Sequence, residues 1–212
     1  MILTRLALVQ HPNAVVEVEL FRTALRLGTA ALYLWLLRPI ILARPGDWSQ
    51  LKRIHVWAAV ALVLLVPVVS GRDNFSDKSI AALFALTSVA VAIKEEVLFR
   101  GIIQNLLCAR MGTMTAVLVA SALFTAWHIG VRPPLFSVFL QIFLFSLALG
   151  MIYGRSGNLL AVIVFHAAID ALYPFSPYLT SPMHPIVSVF MLIYAVLLLY
   201  HWASKPFASK LA

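Results

Sequence analysis

Apolar residues in this chain come in long blocks, and polar residues collect in the short gaps between them. Seven apolar stretches lie near 23–43, 54–70, 79–108, 113–130, 134–153, 158–173 and 184–203. The gaps read "ARPGDWSQLKR", "GRDNFSDK", "RMGT", "GVRPP", "GRSGN" and "YPFSPYLTSPMHP", which is the Gly, Pro and charge chemistry of turns. Crossing a bilayer takes about 20 mainly apolar residues in a helix. The stretches lack the period-two alternation of barrel strands, so helices are the predicted spanning element. The third stretch is longer than a straight span needs; it either tilts, runs past the membrane, or breaks near its charges. No internal repeat or low-complexity segment interrupts the pattern.

Composition sharpens this picture. The 212 residues are 62% hydrophobic and 11% charged, with mean hydropathy +0.96. A soluble domain carries about 25% charged residues, so this chain lacks the material for a polar surface. The expected fold is all-α: a polytopic transmembrane helix bundle of about seven spans around a polar intramembrane cavity. The expected organisation is an N-terminal membrane segment with two spans (1–78), a core (79–173), and a loop with the last span (174–212). The net charge of +8 fits cationic loops beside anionic headgroups. No soluble basic module is present to bind nucleic acid. Lys and Arg divide almost evenly between the two sides of a seven-span arrangement, which leaves the orientation open. Cys108, the single cysteine, excludes an internal disulfide. The N-terminal "MILTRLALVQHPN" is too short in apolar length for a secretory signal.

The acidic residues are the next clue. Glu17, Glu19, Asp47, Asp73 and Asp77 precede the third stretch and are assigned to the N-terminal segment or loops. The remaining three, Glu95, Glu96 and Asp170, all fall inside apolar segments. A charge at the centre of a membrane helix costs about 2.5–3.5 kcal/mol on insertion scales, so such groups face a protein interior or a wet cavity. On a helix Glu96 and Arg100 are four apart and share a face, which predicts an internal ion pair. Glu95 points about 100° away and is freer to do chemistry. "FTAWHIG" adds Phe124 and His128 one turn apart, and "IVFHAAIDALYP" adds His166 and Asp170 four apart on one face. A lone membrane histidine usually serves as an interhelical hydrogen bonder. Three helices that each bring a titratable group are enough for water activation and oxyanion stabilisation.

The remaining polar and aromatic residues carry blander assignments. His11, His55, His184 and His201 read as interfacial. Trp48, Trp57, Tyr153, Tyr173 and Trp202 read as an aromatic belt. Gly150 and Gly154 form a small-xxx-small pair for close helix packing, and Pro133, Pro134 and Pro174 mark helix ends.

Three motifs together resemble a known family. "EEVLFRG" is similar to the EExxxR signature of the CAAX protease and bacteriocin-processing family, also called the Abi family of intramembrane glutamic endopeptidases, with Glu95, Glu96 and Arg100 at the matching positions. "FTAWH" resembles its FxxxH motif at Phe124 and His128, and "HAAID" its HxxxN or HxxxD motif at His166 and Asp170. The glycine-rich approach "LALGMIYGRSGNLLAVIVFH" is also similar. The resemblance covers about residues 79–173.

What the resemblance implies is an intramembrane endopeptidase acting on a membrane-associated or lipidated protein or peptide, in the bilayer of a bacterial cytoplasmic membrane. By the same resemblance Glu95 is the general base, His128 helps hold the water, Glu96 and Arg100 support Glu95, and His166 with Asp170 stabilises the oxyanion. Many family members carry asparagine where this chain has Asp170, and an ionised carboxylate cannot donate to an oxyanion. Asp170 is therefore expected to orient His166 or to stay protonated. No cofactor or metal is expected. A zinc-dependent variant stays open, because Glu95, His128, His166 and Asp170 are zinc ligands by type although HExxH is missing. A non-catalytic scaffold or peptide-immunity protein is the alternative from another class, and a proton-coupled carrier a further one.

Overall fold

A computed structural model describes residues 12–44, 46–47, 78–132 and 136–172. Among the described residues every regular element is helical. They are α1 (Pro12–Leu36), α2 (Arg38–Ile41), α3 (Lys78–Glu96), a π-helix (Val97–Gln104), α4 (Asn105–Met111), α5 (Thr113–Trp127), α6 (Phe136–Ser156) and α7 (Leu159–Leu172). The all-α expectation holds. The stretches near 54–70 and 184–203 lie outside the described residues. So do Asp73, Asp77, the four histidines assigned to the interface, Trp48, Trp57, Tyr173, Trp202, Pro133, Pro134 and Pro174.

One described helix, over Val138–Ser156, is long and apolar enough to cross a membrane; Thr113–Trp127 and Leu159–Ala171 are shorter apolar helices. At 1.5 Å per residue the shorter pair reach only about 20 Å. α1 begins at Pro12, ahead of the first apolar stretch, so Glu17 and Glu19 lie on the helix of the N-terminal segment. Glu19 is buried, with Arg22 Nη1 at 2.6 Å and Arg26 Nη1 at 3.6 Å. These arginines follow it by one and two turns, which is why a carboxylate is tolerated there.

The long third stretch neither stops nor bends away at its charges. It changes helix type: α3 ends at Glu96, and the eight residues VLFRGIIQ continue as a π-helix into α4. The wider π turn is intrinsically unfavourable, and it occurs where packing or function requires it. Here six of the eight residues are buried, Arg100 and Gln104 among them. α3 packs on α7 and α1, while α5 packs on α6 and α4.

The α6–α7 turn fixes the entry of the His166 helix. Gly157 adopts φ +63°, a left-handed conformation available to glycine, and its N–H bonds to Tyr153 O at 2.7 Å. Asn158 then caps α7, its Oδ1 accepting from Ala161 N–H at 3.0 Å. Tyr153 corrects the aromatic-belt assignment: it is fully buried, and its hydroxyl accepts from Asn105 Nδ2 at 2.9 Å. That amide also reaches Ile40 O and Gly101 O, both at 3.0 Å, so a polar tie replaces the interfacial role.

Candidate active site

The three motifs meet across α3, the π-helix, α5 and α7. Glu96 lies at the last residue of α3 with no exposed surface. Its Oε1 is 3.1 Å from Arg100 Nη1, the ion pair expected from their spacing. The same oxygen accepts from His166 Nδ1 at 2.7 Å. His166 Nε2 faces Asp170 Oδ2 at 3.2 Å, one turn further along α7. Each imidazole nitrogen therefore meets a carboxylate. Glu96 is sealed from solvent, whereas the Asp170 side chain is 30% exposed.

Arg100 is buried and makes two further bonds through Nη2, to Ser146 O at 2.9 Å and Ser146 Oγ at 3.0 Å. Its guanidinium carbon stands 4.9 Å from the centre of the Phe124 ring, a cation–π contact in a desolvated setting. Phe124 also meets His128 at 4.8 Å and His166 at 6.0 Å between ring centres. The side chain named in the second motif is thus a wall shared by the arginine and both histidines.

His128 closes α5 as its C-terminal cap residue. Its Nδ1 is 2.8 Å from Phe124 O. A carbonyl only accepts, so Nδ1 carries the proton; in the neutral ring Nε2 then keeps its lone pair. Glu95 is buried and lies within electrostatic range of His166, His128 and Asp170, and of Lys94. Among the described residues Glu95 makes no hydrogen bond, while its neighbour Glu96 meets both Arg100 and His166. Lys94 is turned elsewhere, its Nζ 5.5 Å from the Trp127 ring.

All seven residues singled out in the sequence, Glu95, Glu96, Arg100, Phe124, His128, His166 and Asp170, fall in one region. Ser146, Gln104 and the π-helix did not emerge from the motifs. Gln104 continues the four-residue spacing of Glu96 and Arg100, and Ser146 stands alone in the apolar "FLFSLALG"; both signals were legible as isolated polar residues in apolar helices. Among the described residues no group of three His, Cys, Asp and Glu side chains is placed to hold a metal ion.

With that geometry in hand, comparison with known proteins is informative. Residues 77–172 match the family described as Rce1-like, type II CAAX prenyl endopeptidase. The chain is also 32% identical over 103 residues to YpbD of Bacillus subtilis (strain 168), a protein described as uncharacterized, and the match spans 47% of each chain. The chain thus spans about half the length of the curated relative it matches. No solved structure gives a significant match. The segment from 77 to 172, which carries all three motifs, is thus similar to the Rce1-like CAAX prenyl endopeptidase family.

Proposed function

We propose that this protein is a multi-pass intramembrane endopeptidase that hydrolyses a peptide bond in a membrane-associated protein or peptide by glutamate-activated water. The observation that carries the reading is the unlike state of two adjacent carboxylates. Glu96 is bound to Arg100 and His166, whereas Glu95 is buried, free of hydrogen bonds among the described residues, and near both histidines.

In this reading Glu95 takes a proton from a water that His128 Nε2 helps to hold. The water oxygen bonds to the scissile carbonyl carbon, and the carbonyl oxygen becomes an oxyanion. His166 stabilises that charge through Nε2–H, which the oxyanion shares with Asp170 Oδ2 on the ring's more open side, while Glu96 keeps Nδ1 fixed. Asp170 orients His166 as an acceptor. The C–N bond then breaks, Glu95 returns its proton to the leaving nitrogen, and the products are a carboxylate and an amine. Oxyanion donors of this kind are worth about 3–4 kcal/mol. The reaction as written uses no metal.

The bilayer fits the surface. Trp35, Phe136, Val131, Ile129 and Phe21 are all more than 60% exposed, which is a large apolar surface for a protein in water. Seven spans in a bacterial cytoplasmic membrane follow as part of the proposal. The substrate class is a tail or leader peptide that reaches the cavity from the membrane.

The test is cleavage of a panel of prenylated and tail-like peptides by the full chain in detergent. Wild type and Glu95→Gln are each assayed with and without a chelator. Cleavage lost in Glu95→Gln and indifferent to chelator is the expected result. Loss on chelation, restored by zinc, moves the reading to a metalloprotease. A folded protein that cleaves nothing in the panel turns it towards a binding or immunity role.

A further inference from the structure

Arg100 is hydrogen-bonded at one end of its guanidinium and meets an ion-pair partner at the other. Nη1 faces Glu96 Oε1 at 3.1 Å, and Nη2 donates to the carbonyl and hydroxyl of Ser146 at 2.9 and 3.0 Å. The group is planar, so fixing Nη2 fixes the direction of Nη1. Phe124 sets the remaining freedom by lying against the guanidinium face. Ser146 and Arg100 are each 1% exposed and Glu96 0%, so bulk water does not compete for these bonds.

A second rung lies four residues further along both helices. Gln104 Nε2 donates to Gly150 O at 2.9 Å. The approach depends on the bare α-carbon of Gly150, because a Cβ there would stand 3.2 Å from Gln104 Oε1. The two rungs set the register of the π-helix against α6. Ser146 occupies the rung that leads through Arg100 and Glu96 to His166.

We infer that Ser146 is a positioning residue for the site: its hydroxyl fixes the guanidinium of Arg100, and through Glu96 the orientation of the His166 imidazole. The orienting role stands on geometry alone; its effect on rate rests on the endopeptidase reading above. A serine that merely joined two apolar helices would alter stability and leave His166 untouched.

The experiment uses the full chain in detergent, labelled with 15N in its histidine rings. Spectra are compared for wild type, Ser146→Ala, Ser88→Ala, Arg100→Lys and the Ser146→Ala/Arg100→Lys double variant. Ser88 is the control, since among the described residues its hydroxyl bonds back to Phe84 O on its own helix. The expected result is a displaced His166 ring signal in Ser146→Ala, none in Ser88→Ala, and no further displacement by Ser146→Ala once Arg100 is lysine. With a cleavable peptide, kcat falls about tenfold and KM stays within about twofold. If Ser146→Ala does not fold, Ser146→Cys, which keeps the shape and weakens the acceptor, is expected to give the same displacement. Unmoved His166 signals overturn the inference whether or not any peptide is cleaved. Moved signals with unchanged kcat overturn its catalytic part. Moved signals in a protein that cleaves nothing uphold the orienting role and sink the endopeptidase reading instead.

Discussion

Glu96 Oε1 lies 2.7 Å from His166 Nδ1, a contact between residues 70 apart in the chain. It joins the end of α3 to the middle of α7. The same oxygen faces Arg100, so one carboxylate neutralises a buried arginine and orients a histidine. Removing one member of a buried ion pair leaves the other charge without a partner, which costs about 3–5 kcal/mol. Arg100→Met is therefore expected to lower the melting temperature in detergent sharply. The double variant Glu96→Gln/Arg100→Met recovers part of that loss, because neither charge then remains. Thermal unfolding of the two variants against wild type checks this; an Arg100→Met variant that melts like wild type contradicts it.

Asp170 occupies a position where asparagine and aspartate have different capacities. Its Oδ2 is 3.2 Å from His166 Nε2, so it accepts, and an asparagine carbonyl accepts in the same place, more weakly for want of the charge. Asp170→Asn is expected to retain kcat within about threefold, whereas Asp170→Ala, which leaves Nε2 unguided, falls by about a hundredfold. Complete loss in Asp170→Asn shows instead that the negative charge is required.

Gly150 tests the packing beneath the site. A Cβ there would stand 3.0 Å from Val117 Cγ1 as well as 3.2 Å from Gln104 Oε1. Both neighbours are buried in α5 and the π-helix, where shifts are resisted. Gly150→Ala is expected to destabilise by about 1–3 kcal/mol through overpacking. Gly28→Ala, where nothing lies within 4 Å, is the matched control. Urea or thermal unfolding in the same detergent separates them.

How much of this was legible in the sequence depends on the range of the interaction. Glu96 and Arg100 pair as their spacing requires, because both sit on continuous helix and the contact is local. His166 and Asp170 face one another for the same reason. The bond from Glu96 to His166 is long-range, and no periodicity announces it; only the three motifs taken together suggested that those helices converge. The π-helix has no mark in the sequence, since "VLFRGIIQ" has ordinary helical composition; Ser146, Gly150 and Ile41, which lie far from it in the chain, pack around it. Tyr153 misled because an aromatic residue near the end of an apolar run usually marks an interface. Here Asn105 supplies its hydroxyl with a buried partner, so the ring can sit in the core. α1 extends ahead of the apolar stretch near 23–43, because Arg22 and Arg26 neutralise the buried Glu19 on the same helix.

His128 offers the sharpest separation of structure from chemistry. Its Nδ1 bonds to Phe124 O at 2.8 Å, which terminates α5 and fixes the ring; Nε2 is the nitrogen left for water. An asparagine amide mimics Nδ1 in reach, and a glutamine amide mimics Nε2. His128→Asn is expected to keep the melting temperature close to wild type and to lose about a hundredfold in kcat, the scale of a misplaced reactant, because the water loses its holder beside Glu95. His128→Gln is expected to melt earlier, since the Phe124 carbonyl loses its partner, and to keep activity at about a tenth of wild type. The two variants thus lose opposite properties. Should His128→Asn be the more active of the pair, Nδ1 is the working nitrogen and the water lies on the Phe124 side of the ring.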